Sequence, residues 1–133
     1  MTIRARNRAI GAGAIVAVIA VMATILPMVA SSELDKRRDL HLVIRDMAFY
    51  LDGKGEPNPT LQFRRGERVR LILRSEDAGM EHDLVIKNWK VATKVVHGRG
   101  EEMLNIKIPR RAGSATYYCT PHSEKMRGTI LVE

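Results

Sequence analysis

The chain has one cysteine, Cys119, in 133 residues, so it forms no internal disulfide and holds no Cys-x-x-Cys redox pair. Aromatic residues make up only 5% of it, too few for a platform on which bases would stack. Its charges are interspersed rather than gathered in a basic tract, and together these features argue against nucleic-acid binding. After residue 40 no apolar pattern of helical period is sustained. There is no internal repeat, and no low-complexity stretch outside the first thirty residues.

One long uncharged run is present. Arg4, Arg6 and Arg8 precede Ala9 to Ala30, which contains no charged residue. Twenty-two helical residues span roughly 33 Å at about 1.5 Å each, enough for a bilayer core. The run therefore reads as a membrane anchor or uncleaved signal over 9–30, behind a cytoplasmic tail over 1–8. The alternative is a cleaved signal peptide, since Val21-Met22-Ala23 and Met28-Val29-Ala30 loosely imitate small-residue cleavage sites. On either reading the remainder is exported, with the arginines kept inside. That places the following domain on the periplasmic or extracellular side, anchored if the segment stays and free if it is removed.

Residues 31–39 form a short charged linker, and a domain of about 94 residues follows over 40–133. That length suffices for a core without disulfides. The formal charge of +7 divides between the parts: beyond residue 30 there are 19 Lys/Arg against 15 Asp/Glu. This supports no more than a mild preference for acidic partners.

Within the domain, apolar residues alternate in short runs. Leu40, Leu42 and Ile44 make one such run; Val69, Leu71 and Leu73 another; Leu104, Ile106 and Ile108 a third. Leu84 and Ile86 alternate too, Ala115, Tyr117 and Cys119 share a face, and Thr129 to Val132 closes the series. Turn-rich segments such as 52–59, 65–67, 77–79, 97–100 and 111–113 separate them. The pattern predicts an all-β, Greek-key β-sandwich of seven or eight strands, preceded by the single N-terminal transmembrane helix, with a small barrel as the alternative.

The chemistry gathers near the C-terminus. Cys119, His122 and Met126 lie on one loop, 120–126, between two strand-like runs. A thiolate, an imidazole and a thioether there need one more imidazole to make a trigonal Cys–His₂ set with a weak axial Met. His82, just before the run 84–86, is the candidate. Such a set suits copper better than zinc, which prefers four firm ligands or three with an open position. A lone exported thiol is otherwise a liability unless buried. Taken singly, Cys119 and Met126 are ordinary core residues and His122 an ordinary loop residue; the joint pattern changes that. Pro121 withholds an amide and stiffens the loop. His41 and His97 read as bland, Met80 and Met103 as weaker thioether candidates, and Trp89 as packing near the loop after His82.

The stretch Tyr117-Tyr-Cys-Thr-Pro-His122, followed by Met126 and Gly128, resembles the C-terminal copper loop of cupredoxins such as plastocyanin, pseudoazurin and amicyanin. The resemblance covers roughly 40–133. It implies His82, Cys119 and His122 as equatorial ligands of one copper ion, Met126 as the axial one, and Thr120 and Pro121 as loop residues supporting them. The two residues between Cys119 and His122 look like plastocyanin; the three between His122 and Met126 look like azurin. One departure stands out. Plastocyanin-like proteins usually carry Asn after the first His, and this chain has Asp83, which when ionised accepts hydrogen bonds but cannot donate.

The resemblance implies a membrane-anchored type 1 copper protein that carries single electrons between redox proteins outside the cytoplasm, without acting on a substrate. His122 would be its electron port. The alternative is a periplasmic or extracellular protein that stores or delivers Cu(I), against which no Met-rich or Met/His-rich tract is present. The electron-entry subunit of a terminal oxidase needs two cysteines for its binuclear centre. A multicopper oxidase is excluded by four histidines with no His-x-His pair.

Overall fold

The computed structural model describes residues 36–133. The tail, the anchor and the first part of the linker read from the sequence lie outside the described residues. Among those described, no helix is long and apolar enough to cross a membrane.

Alternation along Leu40, Leu42 and Ile44 turns three apolar side chains to one side of β1 (Arg38–Arg45). The strand begins before the boundary expected at Leu40, because Arg38 and Asp39 already stand opposite Val69 and Arg70. A two-residue turn, Asp46–Met47, reverses the chain into β2 (Ala48–Leu51). Both turn residues have positive φ, 52° and 56°, which a tight hairpin needs and which costs a residue with a Cβ.

The chain then crosses to a second sheet at β3 (Leu61–Phe63) and returns as β4 (Arg68–Ser75), parallel to β1. Four two-residue strands follow: β5 (Glu81–His82), β6 (Val85–Ile86), β7 (Val91–Ala92) and β8 (Val96–His97), with a 3-10 turn at Lys87–Trp89. β9 (Gly100–Lys107) joins β4, and β10 (Gly113–Tyr118) and β11 (Arg127–Val132) form the closing hairpin. The sheets are β2-β1-β4-β9 and β3-β11-β10-β6-β7, with β5-β8 as a separate ribbon. Eleven strands exceed the expected seven or eight, but only seven of them are three residues or longer. The surplus is four short pieces around the 3-10 turn, one of which holds His82.

Inward residues of both sheets, among them Leu42, Phe49 and Leu71 of the first and Leu61, Tyr117 and Ile130 of the second, pack as one core. Each such side chain contributes about 1.5–3 kcal/mol when fully buried. The core lies within 40–132, so the described residues hold a core of their own. Phe49 meets Tyr117 edge-on across the two sheets, ring centroids 5.3 Å apart. Tyr117 is fully buried and donates its hydroxyl to the Pro59 carbonyl at 2.7 Å. Gly128 faces it in the ladder, where a Cβ would stand 2.3 Å from the Tyr117 ring. Only glycine lets that ring lie flat on β11, two residues ahead of Cys119.

Candidate metal centre

β10 continues its alternation one step past its last paired residue, so Ala115, Tyr117 and Cys119 all point inward. Cys119 N donates to Met126 O at 3.0 Å and closes the loop between the two strands. Inside it, His122 N donates to Cys119 O at 3.2 Å, and Met126 N donates to His122 O at 2.8 Å. These bonds bind the backbones of Cys119, His122 and Met126 into one tight turn. Asn58 braces it from outside, accepting from Phe49 N at 3.1 Å and donating to Lys125 O at 2.9 Å.

His82 reaches the same point from the β5–β8 ribbon, where it stands opposite Val96. Its Nδ1 lies 3.8 Å from Cys119 Sγ, and His122 Nδ1 lies 3.6 Å from the same sulfur. One donor atom from each of the three falls within 4.8 Å of the other two. The two imidazole rings are 5.0 Å apart and tilted by 47°. His82, Cys119 and Met126 are fully buried, while His122 is half-buried at the surface.

The donor set fits a metal ion. Separations of 3.6–3.8 Å are long for hydrogen bonds. Yet donors held at about 2.0–2.3 Å from one ion and about 120° apart stand roughly 3.8 Å from each other. Two imidazoles, a thiolate and a buried thioether are soft to borderline ligands, and the set lacks the fourth firm ligand of a structural zinc site. Met126 has the place expected of the thioether; Met80 and Met103 are 39% and 60% exposed on the surface. His97 is exposed and pairs with Glu81 at 2.9 Å, away from this cluster.

Burial lowers the pKa of His82 and His122 adds to the effect, outweighing the pull of Asp77 and Asp83, so the ring is neutral and free to bind metal at pH 7. Burial pushes the Cys119 thiol up, while the amides of Asp83 and His122 draw it down. A bound cation would hold the thiolate form.

Two carboxylates support the histidine side. Asp83 is buried and its Oδ1 accepts from Thr120 N at 2.6 Å, so it ties the His82 segment to the Cys119 loop by accepting alone. Asp77, not singled out from the sequence, accepts from Asp46 N at 2.8 Å and Met47 N at 3.1 Å, and its Oδ2 lies 3.1 Å from His82 Nε2. With Nε2 carrying the proton toward Asp77, Nδ1 is left to face the sulfur. Burial would raise the Asp77 carboxyl, but the two amides and His82 prevail and hold it below the usual range. Its two amide partners lie about thirty residues upstream, and no local pattern announces that contact. Thr93, also missed, accepts from Leu84 N through its hydroxyl at 3.0 Å and fixes the chain just after Asp83.

Residues 58–133 match the family model of copper binding proteins of the plastocyanin/azurin family. No curated protein matches the chain in sequence. Among solved structures, a chain of a heme-copper terminal oxidase dimer is similar at 23% identity and TM-score 0.59, covering 74% of this chain. The match spans 65% of that oxidase chain, a little under two thirds. Auracyanin A, a "blue" copper protein from the green thermophilic photosynthetic bacterium Chloroflexus aurantiacus, is similar at 14% identity and TM-score 0.54, over 74% of this chain and 100% of its own. Rusticyanin from Thiobacillus ferrooxidans is similar at 22% identity and TM-score 0.53, over 74% and 78%. At these identities the likeness is one of fold. The family match covers more than half of the chain, including His82, Cys119, His122 and Met126, which are arranged as a type 1 copper site: the chain belongs to the plastocyanin/azurin family of copper-binding proteins.

Proposed function

We propose that this protein is a membrane-anchored carrier of single electrons, working between redox proteins outside the cytoplasm, and not an enzyme acting on a substrate. The observation that carries the reading is Cys119 Sγ, fully buried, with an imidazole Nδ1 on either side at 3.8 and 3.6 Å. Copper bound there supplies a one-electron couple, Cu(I)/Cu(II), at a site whose soft and borderline donors accept both states.

The chain's own residues do the rest. Cys119 N–H and Met126 N–H are spent on the loop backbone, so the ligand loop holds its shape whatever the charge inside. Asp77 orients His82, and Asp83 fixes the Thr120 amide. A rigid donor set needs little rearrangement between redox states, which is what fast electron transfer demands. His122 is the half-buried ligand, beside a surface hollow of about 350 Å³ lined with Met47, Pro121 and Ser123. Of the four ligands it is the one that reaches the surface where a partner would dock.

Export and anchoring rest on the arginines at 4, 6 and 8 and the uncharged run 9–30. A single cysteine does not suit the binuclear centre of an oxidase subunit, so the likeness to the oxidase chain carries no more than the fold. Two measurements test the proposal. The copper-loaded protein exchanges one electron reversibly per chain at an electrode, and the full chain stays with membranes after a high-salt wash. Absence of a reversible couple overturns the carrier; release by salt or recovery of a trimmed chain overturns the anchor.

A further inference from the structure

The basic residues are scattered in the sequence, and the strand register gathers them. Arg38 stands opposite Val69, Arg68 opposite Lys107, and Val132 opposite both Gly113 and Phe63. Gly66 N donates to Pro109 O and Arg65 N to Glu133 O, closing the same end of the sandwich. The segments 36–39, 64–70 and 107–113, with Glu133, therefore lie together. They carry ten Lys/Arg against three Asp/Glu, while the other described residues carry nine against ten. The whole positive excess of the domain is at one end. Asp39 and Glu67 are already engaged with Arg70 and Arg38, so they neutralise little of what Lys36, Arg65, Arg110 and Arg111 present to solvent.

This end lies opposite the metal centre. From Gly113 to Cys119 the chain climbs about 20 Å at roughly 3.3 Å per residue. That is about two screening lengths at 0.1 M salt, so the basic end acts on its surroundings without acting on the ligands. A hollow of about 570 Å³ opens in it, with Arg37, Arg68 and Lys107 in its wall.

We propose that the basic end is a docking surface for a bilayer rich in anionic phospholipid, and that this contact stands the domain with its metal centre facing away from the membrane. Choosing a bilayer over an acidic protein rests on the reading of 9–30 as an anchor. The described domain begins at Lys36, on this same end, with five residues, 31–35, between it and Ala30, where the segment read as an anchor closes. Five extended residues reach no more than about 18 Å. A basic surface tethered that closely to a bilayer meets phosphate headgroups first, and Lys and Arg near an anionic surface each strengthen the contact. The His122 hollow, at the other end, stays open to a partner.

The test uses residues 36–133, which contain their own core and lack the anchor, so its result is independent of the anchor and of copper. The fragment is sedimented with vesicles of phosphatidylcholine alone and with vesicles containing 40% phosphatidylglycerol. It binds the anionic vesicles at low salt, releases them in 0.5 M salt, and ignores the neutral ones. The triple variant Arg65→Glu, Arg110→Glu, Arg111→Glu loses at least roughly a hundredfold in affinity, about fivefold for each basic residue removed. The triple variant Lys54→Glu, Lys87→Glu, Lys94→Glu has the same net charge and keeps most of the binding. Equal loss in both variants means attraction by net charge alone and overturns the docking surface. No binding to anionic vesicles at low salt overturns the bilayer as partner and leaves an acidic protein as the occupant. Circular dichroism of all three forms shows that the changes are to the surface and not the fold.

Discussion

The two ends of this sandwich are built from the same strands on opposite rules. At one end, long strands finish in exposed arginines, and the polar groups face water. At the other end, polar groups are buried: His82 against Asp77 and Asp83 against the Thr120 amide, around the buried thiol of Cys119. The backbone differs accordingly. The metal end has the positive-φ turn at Asp46–Met47 and short strands that pair by two residues at a time. The basic end is made of longer ladders, and its positive-φ positions fall on glycines, Gly66 at 74° and Gly113 at 154°. A solvated charge is cheap to place and tolerates loose geometry, whereas a buried donor set is costly unless every polar group is matched.

The sharpest way to break the comparison is to remove the group around which the metal end is built. Cys119→Ser leaves the fold, since serine fits the volume, but abolishes the thiolate-to-copper charge-transfer colour. The absorption spectrum of the copper-loaded variant checks this. If Cys119 were only a core residue, its loss would alter stability and no spectrum.

Next in size is Gly128→Ala, which strikes the packing beneath the loop. A Cβ at 2.3 Å from the Tyr117 ring forces that ring off Phe49 and away from Pro59 O. Such overpacking costs about 1–3 kcal/mol, read as a lowered denaturation midpoint with unchanged slope. Arg111→Ala, at the basic end, shifts stability by no more than about 0.5 kcal/mol.

Acid separates the ends by pH. Burial depresses the His82 pKa in the folded chain, so the stability it contributes is present above about 6.5, its unfolded value, and falls away as pH drops through the folded one. Asp77, held below the usual carboxylate range, adds a second loss at more acid pH, below about 3.9. Thermal unfolding of the metal-free chain therefore weakens first as pH falls below about 6.5. His82→Gln flattens this first loss if the ring is the cause; an unchanged profile assigns the effect elsewhere.

The smaller effects are on potential. Met126→Leu keeps copper and colour but raises the reduction potential, because Cu(II) loses more than Cu(I) when the thioether goes. Loss of copper altogether would give Met126 a different role. Asp83→Asn keeps an acceptor for Thr120 N and removes a charge. At an effective dielectric near 20, a unit charge about 7 Å away is worth roughly 2 kcal/mol before screening. The potential therefore rises, by less than that full amount. Voltammetry at fixed pH and salt decides, and a potential equal to or below that of the parent removes the electrostatic role of Asp83.

How much of this was legible in the sequence also differs between regions. The hairpin β10–β11 and its loop were, because Cys119, His122 and Met126 follow one another on a contiguous stretch bounded by clear alternation. β1, β4 and β9 were legible by period two. β2 was not: Ala48 and Phe49 are both buried, so the run Ala48–Leu51 shows no alternation. β5 to β8 are too short to carry a period, which is why His82 was placed beside the run 84–86 when it has a strand of its own. Asp77 was illegible since it works through Asp46, Met47 and His82, joined only by folding. The basic end was read as interspersed charge, which it is along the chain; only the register of β1, β4 and β9 brings it together.

The most direct test of the metal centre is an absorption spectrum of the copper-loaded protein taken with a copper titration. One copper per chain and an intense visible band that vanishes on reduction and returns on oxidation is the predicted result. Weak absorption of ordinary Cu(II), or a stoichiometry other than one, contradicts a site in which Cys119 binds copper between His82 and His122.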